Sequence, residues 1–154
     1  DAMWATYDAH CVPERSRSLP INVFTDGVAL AWRAMAAGAE VPRGRWEALH
    51  AYACAHFPRA TIFLDVHLAA CLAALGDDAG LDALRADLEK ALQRDRLRAG
   101  PVVLSLAEGF RLWARGDRAG AARVFSHALP EVVRIGGSRA QRRLVDETLA
   151  ACAA

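Results

Sequence analysis

Two pairs of residues have the types that could hold a metal or move a proton: His50 with Cys54, and Asp65 with His67. A histidine and a cysteine four apart share one face of a helix. Two ligands do not make a closed zinc site, which takes four, and no Cys-x-x-Cys spacing supplies the rest. Packing beside Trp46 and Phe57 is the reading this pair favours. Asp65 and His67 are two apart, so on a helix they do not face each other and cannot chelate. With Leu64 and Cys71 as its helical neighbours, His67 is expected to border the core, hydrogen-bonded to another helix, or else to reach a binding groove. A Gly-rich phosphate loop, a Gly-x-Ser-x-Gly elbow and a His-Glu-x-x-His pair do not occur. The expectation is therefore a protein that is not an enzyme, with no catalytic residue, cofactor or metal site.

The second polar cluster runs from Gly136 to Arg143. Ser138-x-x-Gln141 after two glycines reads as a capping box, in which the serine accepts from the N–H of Gln141 and the glutamine reaches back to the serine's own N–H. The glycines supply the left-handed conformations that end the preceding helix. Arg139, Arg142 and Arg143 are not explained in this way, because cations in the first turns of a helix oppose its dipole. Asp146 and Glu147 follow four residues on, in the weaker order for pairing. A salt bridge to another helix, an anionic or acidic-peptide ligand, and codon bias all stay open for these arginines.

The positioning elements follow from composition and punctuation. Hydrophobic residues make up 54% of the 154 residues, aromatics only 7%, and about a fifth are alanine, which favours helices packed through small side chains. No segment alternates with the period of two that a half-buried strand shows. Basic and acidic residues balance at 19 against 18, which argues against nucleic acid as a partner, since phosphate binding needs a basic excess. Lys90 is the lone lysine among the basic residues; this reads as the codon bias of a GC-rich, bacterial genome. There is no signal peptide and no apolar run near twenty residues, so neither a membrane span nor a membrane partner is expected, and the cytoplasm is the expected compartment.

Glycine, proline and cap residues divide the chain into about seven helices after an opening tail, Ala2 to His10, and a linker from Pro13 to Pro20. Residues 1–21 are assigned to that tail and linker, and 22–154 to the domain. The helices are expected over about Asn22–Ala37, Arg43–Phe57, Thr61–Leu75 and Ala79–Arg94, from Pro101 to the turn at Gly116-Asp117, over Arg118–Ile135 with a kink at Pro130, and from Ser138 onward. The helix from Thr61 is apolar nearly all round and should be the most buried. Because the chain opens Asp1-Ala2-Met3 in what reads as mid-helix, a longer parent protein is expected.

One window has a recognisable repeat grammar. Gly109 stands as a small residue where two helices cross, Gly116-Asp117 as the turn, and Ala121 and Phe125 as the Ala-x-x-x-Phe of a tetratricopeptide second helix. Gly109 and Ala121 let two backbones approach, and Phe125 fills the gap. The Asp65–Leu92 pair keeps the rhythm with a similar turn at Gly76-Asp77, and the Asn22–Phe57 pair is looser. The chain also resembles the tetratricopeptide repeat protein 38 family, on Leu30-Ala31-Trp32-Arg33, Arg45-Trp46-Glu47-Ala48-Leu49, Asp65-Val66-His67, and Ile135-Gly136-Gly137-Ser138-Arg139-Ala140-Gln141-Arg142. Arg143 departs from the family, which more often has an acidic residue there. The resemblance covers about Val23 to the end and looks like the C-terminal part of a longer helical-repeat protein; it implies an interaction scaffold and carries no activity.

The expected fold is thus all-α, an alpha-alpha superhelix of about three antiparallel hairpins. Such a fold presents its first helices along a concave groove suited to a peptide or partner helix. The residues expected to bind that partner are Arg33, His67, Glu108, Arg111 and Arg142, though Glu108 and Arg111 are three apart and able to neutralise each other. Two alternatives stay open: an accessory domain that binds a small anionic ligand or supports an upstream catalytic domain, and self-association with Trp4 and Tyr7 at the seam.

Overall fold

The computed structural model describes residues 2–57 and 62–153, all helix and connection. Eight α-helices follow in order: α1 (Ala2–His10), α2 (Pro20–Ala36), α3 (Arg43–His56), α4 (Ile62–Leu75), α5 (Asp78–Gln93), α6 (Val102–Ala114), α7 (Arg118–Ala128) and α8 (Arg139–Ala151). The expected start at Thr61 and stop at Pro58 lie outside the described residues.

Three helices end in the same way. After α2, α4 and α6 the chain passes through Gly38, Gly76 and Gly116, each with positive φ, at intervals of 38 and 40 residues. At each, the glycine N–H bonds a carbonyl three residues back, and the next N–H reaches five back: Ala39 to Ala34, Asp77 to Leu72, Asp117 to Leu112. This double bond pattern needs a left-handed residue, which glycine adopts without a Cβ penalty. Asp77 and Asp117 then cap α5 and α7, accepting from the N–H of Gly80 at 2.9 Å and of Gly120 at 2.8 Å. Gly-Asp-x-Ala-Gly therefore recurs forty residues apart, doing the same work twice.

Helices pack mostly on sequence neighbours, and α2, α4 and α6 also pack on one another in series. At the centre lies α4, with nine of its fourteen residues buried, among them Asp65 and His67. Its alanine-rich surface (Ala69, Ala70 and Ala73) lets neighbouring backbones come close. An aromatic chain crosses the core from α3 to α7: Trp46 to Trp32 at 6.4 Å, Trp32 to Phe110 at 4.8 Å, Phe110 to Phe125 at 5.2 Å. Gly109 admits this arrangement, since a Cβ there would stand 2.7 Å from the Phe125 ring.

Two departures from the sequence expectation concern the C-terminal third. The sixth predicted helix does not run kinked to Ile135; α7 ends at Ala128 and a 3₁₀ segment, Leu129–Ile135, takes over. Pro130 lacks an N–H and its ring excludes the carbonyl four residues back, so the ladder tightens instead of bending. Further, α8 does not continue a linear stack. The 3₁₀ segment crosses α6 and α4, and α8 lies on α2. There the Trp32 indole N–H donates to Thr148 Oγ1 at 3.0 Å, and the Thr148 hydroxyl donates to the Leu144 carbonyl at 2.6 Å. The capping box is present, with Ser138 N–H to Gln141 Oε1 at 2.8 Å and Gln141 N–H to Ser138 Oγ at 3.2 Å.

Candidate functional site

The five residues expected to meet a partner are dispersed, and each already has work inside the fold. Arg33 on α2 donates to Glu147 of α8 and to the Ala140 carbonyl at 3.2 Å, tying the first hairpin to the last helix. Glu108 on α6 accepts from Arg85 of α5 and from Arg111, and Arg111 reaches Asp82 of α5 at 3.0 Å. With Arg115 and Asp78 at 2.7 Å, these charges zip α5 to α6. Arg142 donates to the carbonyls of Gly136 and Gly137, closing the end of the 3₁₀ segment. That backbone contact accounts for one cation in the first turn of α8, and Arg143 pairs with Glu147 at 3.4 Å.

His67 is only 2% exposed. Its Nδ1 donates to the Phe63 carbonyl of its own helix at 2.8 Å, rather than to another helix, and among the described residues its Nε2 has no hydrogen-bond partner. Burial, opposed by the Phe63 bond and Asp26 and aided by Arg33, pushes its pKa down to about 4. The ring is therefore neutral at pH 7, its proton on Nδ1. The Phe63 ring packs against it, tilted by 57° with centroids 4.5 Å apart, and Gly137 sits so close over Phe63 that a Cβ would enter the ring. The side of α2 and α4 that carries Arg33 and Phe63 is thus covered by the protein's own C-terminal segment.

His50 and Cys54 do approach, Nε2 to Sγ at 3.6 Å. Among the described residues no three histidine, cysteine or acidic side chains gather to hold a metal. The Cys71 thiol is pushed up to about 12, by burial first and by Cys54 second, so it packs as an apolar group. Among the described residues, no helix is long and apolar enough to cross a membrane.

The open feature of the surface lies elsewhere. α3 and α5 make little contact, and between them, floored by α4, runs a cleft of about 790 Å³. Leu68 and Leu72 of α4 and Leu84, Leu88 and Ala91 of α5 give it apolar walls, while His50, Asp87, Arg96 and Arg98 also line it. Sharing Phe57 and Leu68 with the cleft, a small recess of about 60 Å³ continues it between Phe24, Ala53 and Leu64. Asp65 also lines the cleft, 6% exposed, and among the described residues nothing donates a hydrogen bond to its carboxylate or forms an ion pair with it. Burial alone pushes its pKa up to about 7. In the sequence Asp65 stands out only as a neighbour of His67. The available signal was its place in a helix apolar nearly all round, where a carboxylate is the anomaly.

No family model, no curated protein and no solved structure matches the chain. What stands is an all-helical domain of eight helices packed mostly between neighbours.

Proposed function

We propose that this domain is a protein-interaction scaffold of tetratricopeptide-like hairpins, and that it takes a peptide or partner helix in the cleft between α3 and α5. The cleft is the observation that carries this reading: an open groove with an aliphatic floor and polar rim, where two successive second helices stand apart. Grooves of this make-up receive the apolar side chains of amphipathic segments. The hairpin reading draws support from the recurrent glycine-ended turns, the series α2–α4–α6, and the close crossing at Gly109, Ala121 and Phe125. The likeness to the tetratricopeptide repeat protein 38 family points the same way. The groove lies away from the face of α2 and α4 that α8 and the 3₁₀ segment cover.

Filling the groove tests the idea. Ala83 is exposed and lines the cleft, whereas Ala119 at the start of α7 is exposed and outside it. A partner recovered with the native protein should be lost with Ala83→Trp and kept with Ala119→Trp. Equal recovery by both variants would move the binding surface elsewhere.

A further inference from the structure

We infer that the cleft between α3 and α5 selects a peptide carrying a cationic side chain, lysine in particular, and that Asp65 is the residue that reads it. This rests on the proposed function, and adds the chemistry of the partner to it.

Three observations converge on Asp65. It is more than nine-tenths buried, it borders a cleft of about 790 Å³, and among the described residues it has no hydrogen-bond or ion-pair partner. A buried carboxyl without a partner is costly to the fold, and such groups persist where function needs them. Among the described residues the charged or titratable groups lining the cleft around it are few. From α3 comes His50; from the cap before α5 comes Asp77 and from α5 itself Asp87; from the connection after α5 come Arg96 and Arg98. Asp77 is engaged in capping Gly80, and Asp87 meets Lys90 at 3.1 Å. No charged side chain of α2 or α6, which pack on other faces of α4, lines the cleft. Neither arginine pairs with Asp65, so its unmet need is for a donor, and a cation meets it best.

The walls fit a lysine. Leu68, Leu72, Leu84 and Leu88 offer an apolar sleeve for the four-carbon stem, with the ammonium at its end. Because Asp65 is only 6% exposed at the cleft wall, an arriving ammonium meets a carboxylate largely shielded from water, where the attraction is stronger than at the open surface. Only the ionised carboxylate attracts the cation. With Asp65 titrating near 7, affinity should rise by about tenfold between pH 6 and pH 8.

The experiment is selection of a random dodecapeptide display library on the whole chain, in parallel on Asp65→Asn, followed by titration of a selected peptide. Asn keeps the shape and removes the charge, and a matching far-UV spectrum with a single cooperative melting transition establishes that the variant folds. The expected result is enrichment of peptides with a lysine flanked by apolar residues, binding at least tenfold weaker to Asp65→Asn and losing their pH dependence there. Enrichment of peptides without a cation, or equal affinity for both proteins, overturns the inference and leaves the groove reading standing. Enrichment of acidic peptides also overturns it, assigning recognition to Arg96 and Arg98. If nothing is enriched, or if the selected peptides still bind Ala83→Trp, the groove reading falls as well.

Discussion

Two buried titratable side chains on α4, Asp65 and His67, pull stability in opposite directions with pH. Asp65 has a folded pKa near 7 against about 3.9 in an unfolded chain. The folded state therefore binds more protons between those values, and stability is lost as pH rises through that window. His67 has a folded pKa near 4 against about 6.5 unfolded. Here the unfolded state binds more protons, and stability is lost as pH falls from 6.5 to 4. Over that shared range the two slopes oppose, one proton each, so their contributions nearly cancel. In urea titrations at several pH values, Asp65→Asn should become more stable toward neutrality, by up to about 1.4 kcal/mol per pH unit. His67→Gln should show the reverse slope; a flat profile for both variants would mean that these groups titrate normally. The relay at Trp32 makes another residue-scale prediction. Thr148→Val removes the acceptor and leaves a buried indole N–H unsatisfied, which should cost about 1–3 kcal/mol in equilibrium unfolding.

The elements were the most legible part of the sequence, for a physical reason: their ends are set by local chemistry. Pro42 before α3, the glycines after α2, α4 and α6, Asp77, Asp117 and the Ser138–Gln141 box each act within a few residues of their position. The crossing at Gly109 was legible too, because a small-residue spacing on two consecutive helices encodes their approach. Gly109→Ala should overpack the α6–α7 crossing by about 1–3 kcal/mol. The double variant with Phe125→Leu should recover part of that loss, measured as a coupling energy in a double-mutant cycle; simple additivity would remove the contact from the account. Ser138→Ala should cost about 1 kcal/mol through the lost cap. What could not be read was pairing at a distance. Nothing in the pattern of α8 says that it turns back to α2, since its Leu144–Val145–Thr148 stripe would fit any apolar face. The site suffered from the same limit: Arg33, Glu108 and Arg111 look like solvent-facing charges until their partners on other helices are placed.

At the scale of the molecule, the decisive feature is that the last helix rests on the first hairpin. A stack whose units touch only their neighbours gains stability by the sum of local interfaces and can begin to form anywhere. Here Trp32 and Thr148, 116 positions apart, meet directly. Unfolding should accordingly be one event: signals from tryptophan fluorescence and far-UV circular dichroism should coincide along a urea titration, whereas an open stack could fray from one end. Replacing both Leu144 and Thr148 with alanine should loosen α8 and separate the two curves. The same contact also sets an order in time. As the chain leaves the ribosome, α2 through α7 emerge while the surface around Trp32 and Arg33 still lacks its cover, and at about 5–20 residues per second that interval lasts from roughly six to over twenty seconds. During synthesis, then, the nascent domain displays an aromatic and cationic face that the finished protein hides, and the arrival of Leu144, Glu147 and Thr148 ends the exposure.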